Sequence, residues 1–332
     1  MSRPESGGGA APRAPKSGLV AGIVNYGTYD EVLRCVEALR KSSLVPDRIL
    51  VADNASVPEG AERLARLLGK ENLLASPENR GYAGGANAII RAAPEARHVL
   101  ILNPDVTVSP EFCRELLRAA EADRAAGVVG GKLVRPDSGV VDSAGMVALR
   151  TGRCLDRAEV TFPGERFDRT EEVFAVCGAA MLLRKQALED IRIGDEYFDE
   201  DFVIYHEDVD LCWRMRLRGW RVLYAADAVA SHHRGFRRDR ARSAVSRFVR
   251  RHSFRNHYLK LVKNMLPAQL WRDGVYLALW ELVRLGYVVL REPFLLGAWR
   301  DLARLLPRAL RKRRCIMSRR RAGYRDIAPW FR

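Results

Sequence analysis

The sequence contains no Cys-x-x-Cys pair, no Gly-x-Gly-x-x-Gly run and no uncharged apolar stretch long enough to cross a bilayer. These absences exclude a zinc ribbon or dithiol redox motif, argue against a nicotinamide enzyme and exclude a simple spanning helix. The six cysteines (Cys35, Cys113, Cys154, Cys177, Cys212 and Cys315) are scattered and read as buried or free thiols of a reducing compartment. The N-terminus lacks an apolar signal core, which disfavours export. Residues 1–17 are rich in Gly, Pro and Ala and read as a disordered leader. Acidic residues are scarce at the other end: residues 234–332 hold only 6 of the 41 Asp and Glu but 26 of the 56 Lys and Arg. The net charge of +15 is therefore a property of the last third. An acidic front and a basic tail predict a site for a cation and a surface for an anionic partner.

What is present is a chain of 332 residues, 48% hydrophobic, enough for one large core or two modest ones. Short apolar runs at residues 19–25, 48–52, 73–76, 98–102 and 127–134 read as buried strands. Between them lie helical patterns at 30–41, 61–68, a helix running through Ala93, and 110–126. In the first helix Val32, Leu33, Val36 and Leu39 share a face and Asp30 is the expected cap. The alternation predicts an α/β fold with a mostly parallel, Rossmann-like sheet covered by helices on both faces. Ligands of such sheets bind at the carboxyl ends of the strands. Asn25, Asp53, Asn79 and Asp105 each follow an apolar run and are expected to form that rim. Residues 136–172 read as hairpins or loops, and 173–184 as a return to a buried, strand-like run.

Two acidic features carry chemistry. Asp105 of Asn103-Pro104-Asp105 stops a strand, where a rigid carboxylate can bind a divalent cation bridging phosphates. Taken alone it could equally start a turn. The second feature is the run of six acids from Asp199 to Asp210, which includes Glu207 and Asp208 ahead of a helix. Helix capping explains one or two of them but not six. Like charges beside apolar Phe202 and Ile204 raise a carboxyl pKa, as a general base requires.

Several short segments, in order, resemble the family 2 glycosyltransferases and their rhamnosyltransferase-like branch. They are Val24-Asn25-Tyr26, the stretch from Val51 through Asp53-Asn54 to Ser56, the stretch Asn79 to Asn87, Leu102 to Asp105, Cys177 to Leu182, and Phe198 through Glu207-Asp208 to Arg214. The resemblance covers about residues 19–233. It implies a GT-A fold and an inverting nucleotide-sugar transferase that uses Mg2+ or Mn2+. It implies Asp208 as catalytic base, Asp105 and His232 as metal ligands, with His233 the fallback, and Asn25, Asp53, Asn79, Gly81 and Asn87 around the nucleotide. Asn103, Cys177, Gly178, Ala179 and Glu207 would line the donor and acceptor pocket. Asn103 stands where the family usually has the first Asp of an Asp-x-Asp pair. The branch implies dTDP-rhamnose as the first choice of donor and a lipid-linked or polysaccharide acceptor of cell-envelope glycan synthesis.

The expected domains are the leader 1–17, a catalytic domain 18–233 with halves 18–134 and 135–233, and a basic helical region 234–332. In that last region Asp273, Glu281, Arg284, Arg291 and Glu292 fall on one stripe of a helix and leave a wide apolar face. With Trp271, Trp280 and Trp299 as anchors, this predicts helices lying on an anionic membrane, hence a cytoplasmic protein peripheral on the inner face of the cell membrane. Helices packing on the catalytic domain or on a second copy, giving a homo-oligomer, are the competing reading. A non-enzymatic protein using the basic region on nucleic acid or membrane is the alternative function. No nucleic-acid module is recognisable, which disfavours nucleic acid as a partner.

Overall fold

The computed structural model describes residues 17–55, 57–160, 166–233 and 245–332. The expected leader and the start of the basic region therefore lie outside the described residues. Twelve strands occur among the described residues: β1 (Leu19–Asn25), β2 (Arg48–Asn54), β3 (Leu73–Ser76), β4 (His98–Leu102), β5 (Val106–Val108), β6 (Ala126–Val134), β7 (Val141–Ser143), β8 (Met146–Ala148), β9 (Cys154–Asp156), β10 (Glu171–Glu172), β11 (Ala180–Arg184) and β12 (Arg221–His232). The helices are α1 (Tyr29–Arg40), α2 (Pro58–Leu68), α3 (Gly81–Ala92), α4 (Phe112–Ala122), α5 (Lys185–Ile191), α6 (Glu207–Leu217), α7 (Arg247–Asn264), α8 (Pro267–Arg291), α9 (Gly297–Arg319) and α10 (Tyr324–Ile327).

The main sheet runs β10-β12-β6-β11-β4-β1-β2-β3, with β5 on β12 and β7 on β6. The strands β4, β1, β2 and β3 are parallel, and so are β6 and β12; β11 runs antiparallel between β4 and β6. This is the expected mixed α/β arrangement. All seven residues of β1 are buried, as a central strand covered on both faces requires. Each fully buried Leu, Ile or Val there contributes about 1.5–3 kcal/mol relative to exposure. Two apolar clusters lie on the two faces, one containing Val20, Leu50 and Val99 and the other Ala21, Val51 and Leu100. Successive residues of a strand thus point to opposite layers.

Three local expectations are corrected. The cap of α1 is Thr28, while Asp30 sits in the first turn and pairs with Arg63 at 3.0 Å. The buried set of α1 is Val32, Cys35, Val36 and Leu39, with Leu33 only partly covered. Of the run 173–184 only the part from Ala180 onward is a strand.

In the described part of the basic region, Met265, Leu266, Leu277, Ile316, Ile327 and Phe331 belong to the same core as Trp213 and Phe174. Phe331 packs 5.2 Å from Phe174 and 5.1 Å from Trp213, ring centre to ring centre. The last residue closes the connection, donating from Arg332 N–H to the Ala148 carbonyl at 3.0 Å.

Candidate active site

The strand ends build the site. After β4, Asn103 donates its N–H to the Ala179 carbonyl at 2.9 Å, and the chain turns into β5. β5 pairs antiparallel with the end of β12, His232 opposite Val106. Asp105 and His232 are thereby brought together, Oδ2 to Nε2 3.5 Å. The hairpin of β6 and β7 adds a residue the sequence did not single out: Asp142 Oδ2 lies 3.1 Å from His232 Nδ1. His232 and Asp142 are buried, while the Asp105 side chain keeps 23% exposure toward the cleft. A carboxylate on Nδ1 holds that nitrogen as the donor, so that Nε2, on the Asp105 side, is the ring nitrogen that would be left for a metal ion. Burial opposes charging of His232, yet its bonds to Asp105 and Asp142 hold its pKa above the ordinary imidazole value. His233 instead donates its N–H to the Asp105 carbonyl at 3.0 Å and positions the turn. A hard carboxylate facing an imidazole nitrogen suits Mg2+ or Mn2+. Among the described residues no three His, Cys, Asp or Glu side chains form a closed metal cage, so the chain offers an open pair of donors.

Asp208 lies in the first turn of α6. Its Oδ2 accepts the Gly178 N–H at 2.9 Å and its Oδ1 the Val209 N–H at 2.7 Å. A Cβ at position 178 would stand 3.2 Å from the Asp208 Cβ, so a side chain there would crowd Asp208. Tyr82, also missed in the sequence, donates its hydroxyl to the Gly178 carbonyl at 2.6 Å. Burial raises the Asp208 pKa, and the two backbone N–H groups and Lys260 restrain the rise. Beside it Glu207 is buried, with Oε2 unpartnered. Burial first, then Asp208 and Asp210, push its carboxyl well above the usual range. The segment 177–179 links both halves of the site: Ala179 holds the chain before Asp105, and Gly178 holds Asp208.

On the nucleotide side the expectations divide. Asn25 and Asp53 meet at the ends of β1 and β2, Nδ2 to Oδ1 2.6 Å, both buried below the rim. Asn79 accepts the Gly81 N–H at 2.9 Å and shapes the entry to α3. Gly81 has φ +67°, and a Cβ there would lie 2.2 Å from the Val203 carbonyl oxygen; this glycine admits neighbouring backbone. Asn87 is corrected. It is fully buried, donates to the Phe198 carbonyl and Glu200, and accepts from the Tyr197 and Phe198 N–H groups. With its amide fully engaged it straps residues 197–200 to α3 and has no face toward a ligand.

The acidic run also resolves into separate tasks. Lys312 of α9 reaches Glu196, Asp199 and Asp201 at 2.7, 2.5 and 2.9 Å. Lys263 of α7 reaches Asp210 at 2.7 Å and also bonds Asp199. Glu200 pairs with Arg80 at 2.7 Å. Of the six acids, Asp208 remains for the cleft, with Glu207 beside it. The loop before α6 is strained, with Val203, Tyr205 and His206 at positive φ, a cost of about 1–3 kcal/mol each that surrounding contacts must offset. Asn256 of α7 provides them: its Nδ2 lies 2.7–2.8 Å from the Phe202, Ile204 and Tyr205 carbonyls.

Residues 21–192 match the family model described as Glycosyl transferase family 2. The chain belongs to that family. It is 29% identical over 233 residues to an N-acetylglucosaminyl-diphospho-decaprenol L-rhamnosyltransferase of Mycobacterium tuberculosis, covering 64% of this chain and 74% of that one. To the O-antigen biosynthesis protein RfbC of Myxococcus xanthus it is 27% identical over 221 residues, 64% of this chain and 17% of the other. Among solved structures it is similar to S. aureus TarS 1-349, with TM-score 0.54, 15% identity, and 90% and 87% of the two chains covered. It is also similar to GalNAc-T7 with UDP, GalNAc and Mn2+, with TM-score 0.56, 12% identity, 74% of this chain and 47% of that one. This chain thus spans about half of GalNAc-T7. At these identities the likeness is one of fold, the GT-A arrangement. The protein is a family 2 glycosyltransferase.

Proposed function

We propose that this enzyme transfers a sugar with inversion from a nucleoside-diphosphate donor, dTDP-rhamnose as first choice, to a lipid-linked or polysaccharide acceptor at the cytoplasmic face of the membrane. The observation that carries the reading is the link through residues 177–179 between the Asp105–His232 pair and Asp208. Asp105 and His232 would hold the divalent ion, Mg2+ or Mn2+, which when bound neutralises charge on the departing diphosphate. Asn103, Cys177, Gly178 and Ala179 line the donor sugar's side, and Asp53 with Asn25, supported by Asn79 and Gly81, carries the nucleotide. Asp208 accepts the proton of the acceptor hydroxyl as it attacks from the opposite face. A single base acting in a single displacement gives inversion.

The name of the mycobacterial relative supports a polyprenyl-diphosphate-linked acceptor and a rhamnosyl donor for this chain too. Membrane contact is supported by α8, which is turned inside out. Its polar stripe faces the protein: Gln269 and Asp273 are fully buried, and Asp273 pairs with Arg150 at 2.6 Å. Its apolar face looks outward, with Trp271 90%, Leu282 67% and Leu290 80% exposed. Water-facing helices show the reverse pattern. No helix among the described residues is long and apolar enough to cross a membrane, so α8 would lie in the interface, with exposed Arg291, Arg300 and Arg304 beside anionic headgroups. The binding-protein alternative is less well supported, because Lys263 and Lys312 of the basic region are turned onto carboxylates of the catalytic part.

A screen of nucleotide sugars for hydrolysis, with and without manganese, tests the reading. It expects one donor to be turned over in a metal-dependent way, dTDP-rhamnose first. Absence of turnover with any nucleotide sugar in the presence of manganese would overturn it.

A further inference from the structure

The loop that delivers Asp208 follows a path its side chains disfavour. Val203 has φ +64° and ψ −59°, and the Ile204 N–H bonds back to the Phe202 carbonyl at 2.7 Å. This is the rare, strained form of the γ-turn, and a β-branched residue is an outlier in it. Tyr205 and His206 follow at φ +66° and +72°. Such strain persists only where surrounding contacts over-determine it, and it concentrates at functional sites.

Two helices grip this loop. From α3, the Tyr82 N–H donates to the Val203 carbonyl at 2.9 Å, while its hydroxyl donates to the Gly178 carbonyl at 2.6 Å. One residue thus braces both the loop and the segment that Asp208 bonds. From α7, Asn256 is fully buried and turns its Nδ2 to the carbonyls of Phe202, Ile204 and Tyr205. Its Oδ1 accepts from Arg255 Nε at 2.9 Å, and Arg255 Nη2 donates to the Asp201 carbonyl at 2.6 Å. The guanidinium offers only donors and the three carbonyls only lone pairs, so chemistry fixes which way the amide faces. Without that amide the three carbonyls would lose their shared donor and the turn the contact that offsets its strain. The His206 carbonyl accepts the Asp210 N–H at 2.9 Å, so the end of the loop is also the start of α6.

We propose that Asn256 is a positioning residue for catalysis: by holding residues 202–205 in this turn it sets α6 so that Asp208 stays on the Gly178 N–H and is presented to the acceptor hydroxyl. The proposal rests on Asp208 being the base argued above. A base acts within about 2.6–3.2 Å of the group whose proton it takes, and a misplacement of about 1 Å costs about 100-fold. The nucleotide side has supports of its own: Asn79 accepts the Gly81 N–H, and Asn54 Nδ2 donates to the Gly81 carbonyl at 3.0 Å.

Hydrogen exchange on the full chain carrying Asn256→Ala reads the placement without turnover. The Gly178 and Val209 amides, both bonded to the Asp208 carboxylate, are expected to exchange at least about tenfold faster, with β1 unchanged. Unchanged exchange at Gly178 would overturn the proposal. Kinetics with manganese and the nucleotide sugar selected by the screen above give the catalytic consequence. Turnover by Asn256→Ala is expected to fall about 10- to 100-fold with donor KM within about twofold of the parent. In an Asp208→Asn background the same substitution is expected to change turnover by less than about twofold, because its effect passes through the base. An equal fall in both backgrounds would mean a loss of folded protein and would overturn the proposal. If β1 exchange rises in step, Arg255→Lys replaces Asn256→Ala: it keeps a cation on the loop, gives up the fork that orients Asn256, and is expected to show the same pattern at smaller size. Parent-rate turnover by Asp208→Asn alone would count against the base assignment. A fall in Asp208→Asn with none in Asn256→Ala would count against Asn256 alone.

Discussion

Replacing Lys312 by Met removes one buried ammonium and leaves three carboxylates facing each other. The Lys312 side chain is 9% exposed and sits 2.5–2.9 Å from Glu196, Asp199 and Asp201. Asp199 and Asp201 are themselves buried, at 2% and 6% side-chain exposure. Breaking a buried pair by removing one partner costs about 3–5 kcal/mol. Lys263 still reaches Asp199, and Arg308 still reaches Glu196 and Asp201, which places the expected loss near the lower end, about 3 kcal/mol. The pH dependence has a defined sign. Burial would raise the Asp199 carboxyl, but Lys263 and Lys312 hold it well below its ordinary value. A depressed carboxyl contributes stability that is present above the unfolded pKa of about 3.9 and is lost as pH falls through the folded value. Asp201 runs the other way, raised first by burial and then by Asp199, and it takes up a proton more readily once Lys312 is gone. Urea unfolding of both proteins should therefore show a gap of about 3 kcal/mol near pH 7.5 that narrows toward about pH 4.5. A gap below about 1 kcal/mol near neutrality, the worth of an exposed pair, or one that does not narrow with acid, would refute the buried-box reasoning.

Asp142→Ala should weaken manganese binding to the enzyme–nucleotide complex by about 10- to 100-fold. Electron paramagnetic resonance titration reads this directly, and metal-free nucleotide affinity should not change. Glu207→Gln replaces a carboxyl whose pKa burial and two neighbouring acids push well above its ordinary value. Because a raised carboxyl loses stability as pH climbs above its unfolded value, the variant should match the parent near about pH 4 and melt higher near about pH 8; a lower melting temperature at the alkaline end would contradict this. Leu282→Glu with Leu290→Glu should abolish sedimentation with anionic vesicles while nucleotide-sugar hydrolysis continues, and retained sedimentation would contradict the outward face of α8 as the membrane contact. These point changes are preferable to deleting the end of the chain, because deletion would also remove Lys312 and Phe331 from the shared core.

The parallel half of the sheet was legible because β1 through β4 are short apolar runs ending in polar residues. Asp105, His232 and Asp208 stood out in the sequence because each lies in a motif at a strand or helix end. Three things were not. Asn87 lies in the same Asn- and Gly-rich segment as Asn79 and Gly81, and nothing in that string distinguishes an exposed amide from one buried under residues 197–200. Asp142 meets His232 only through the register of β6, β7 and β12, a contact across 90 residues. The acidic run and the basic region were each legible as charge, but not as partners for each other. The pairs of Asp210 with Lys263 and of Asp199 with Lys312 span 53 and 113 residues. Much of what reads in one dimension as an acidic surface and a basic surface is an internal interface.

Asp208→Asn tests the central claim most directly, by measuring sugar transfer and nucleotide affinity on the same preparation. Because Asn keeps the shape and can still accept the Gly178 N–H, the account predicts a fall in transfer of about 100- to 10,000-fold with nucleotide affinity nearly unchanged. Transfer at the parent rate, or loss of nucleotide binding in step with turnover, would contradict it.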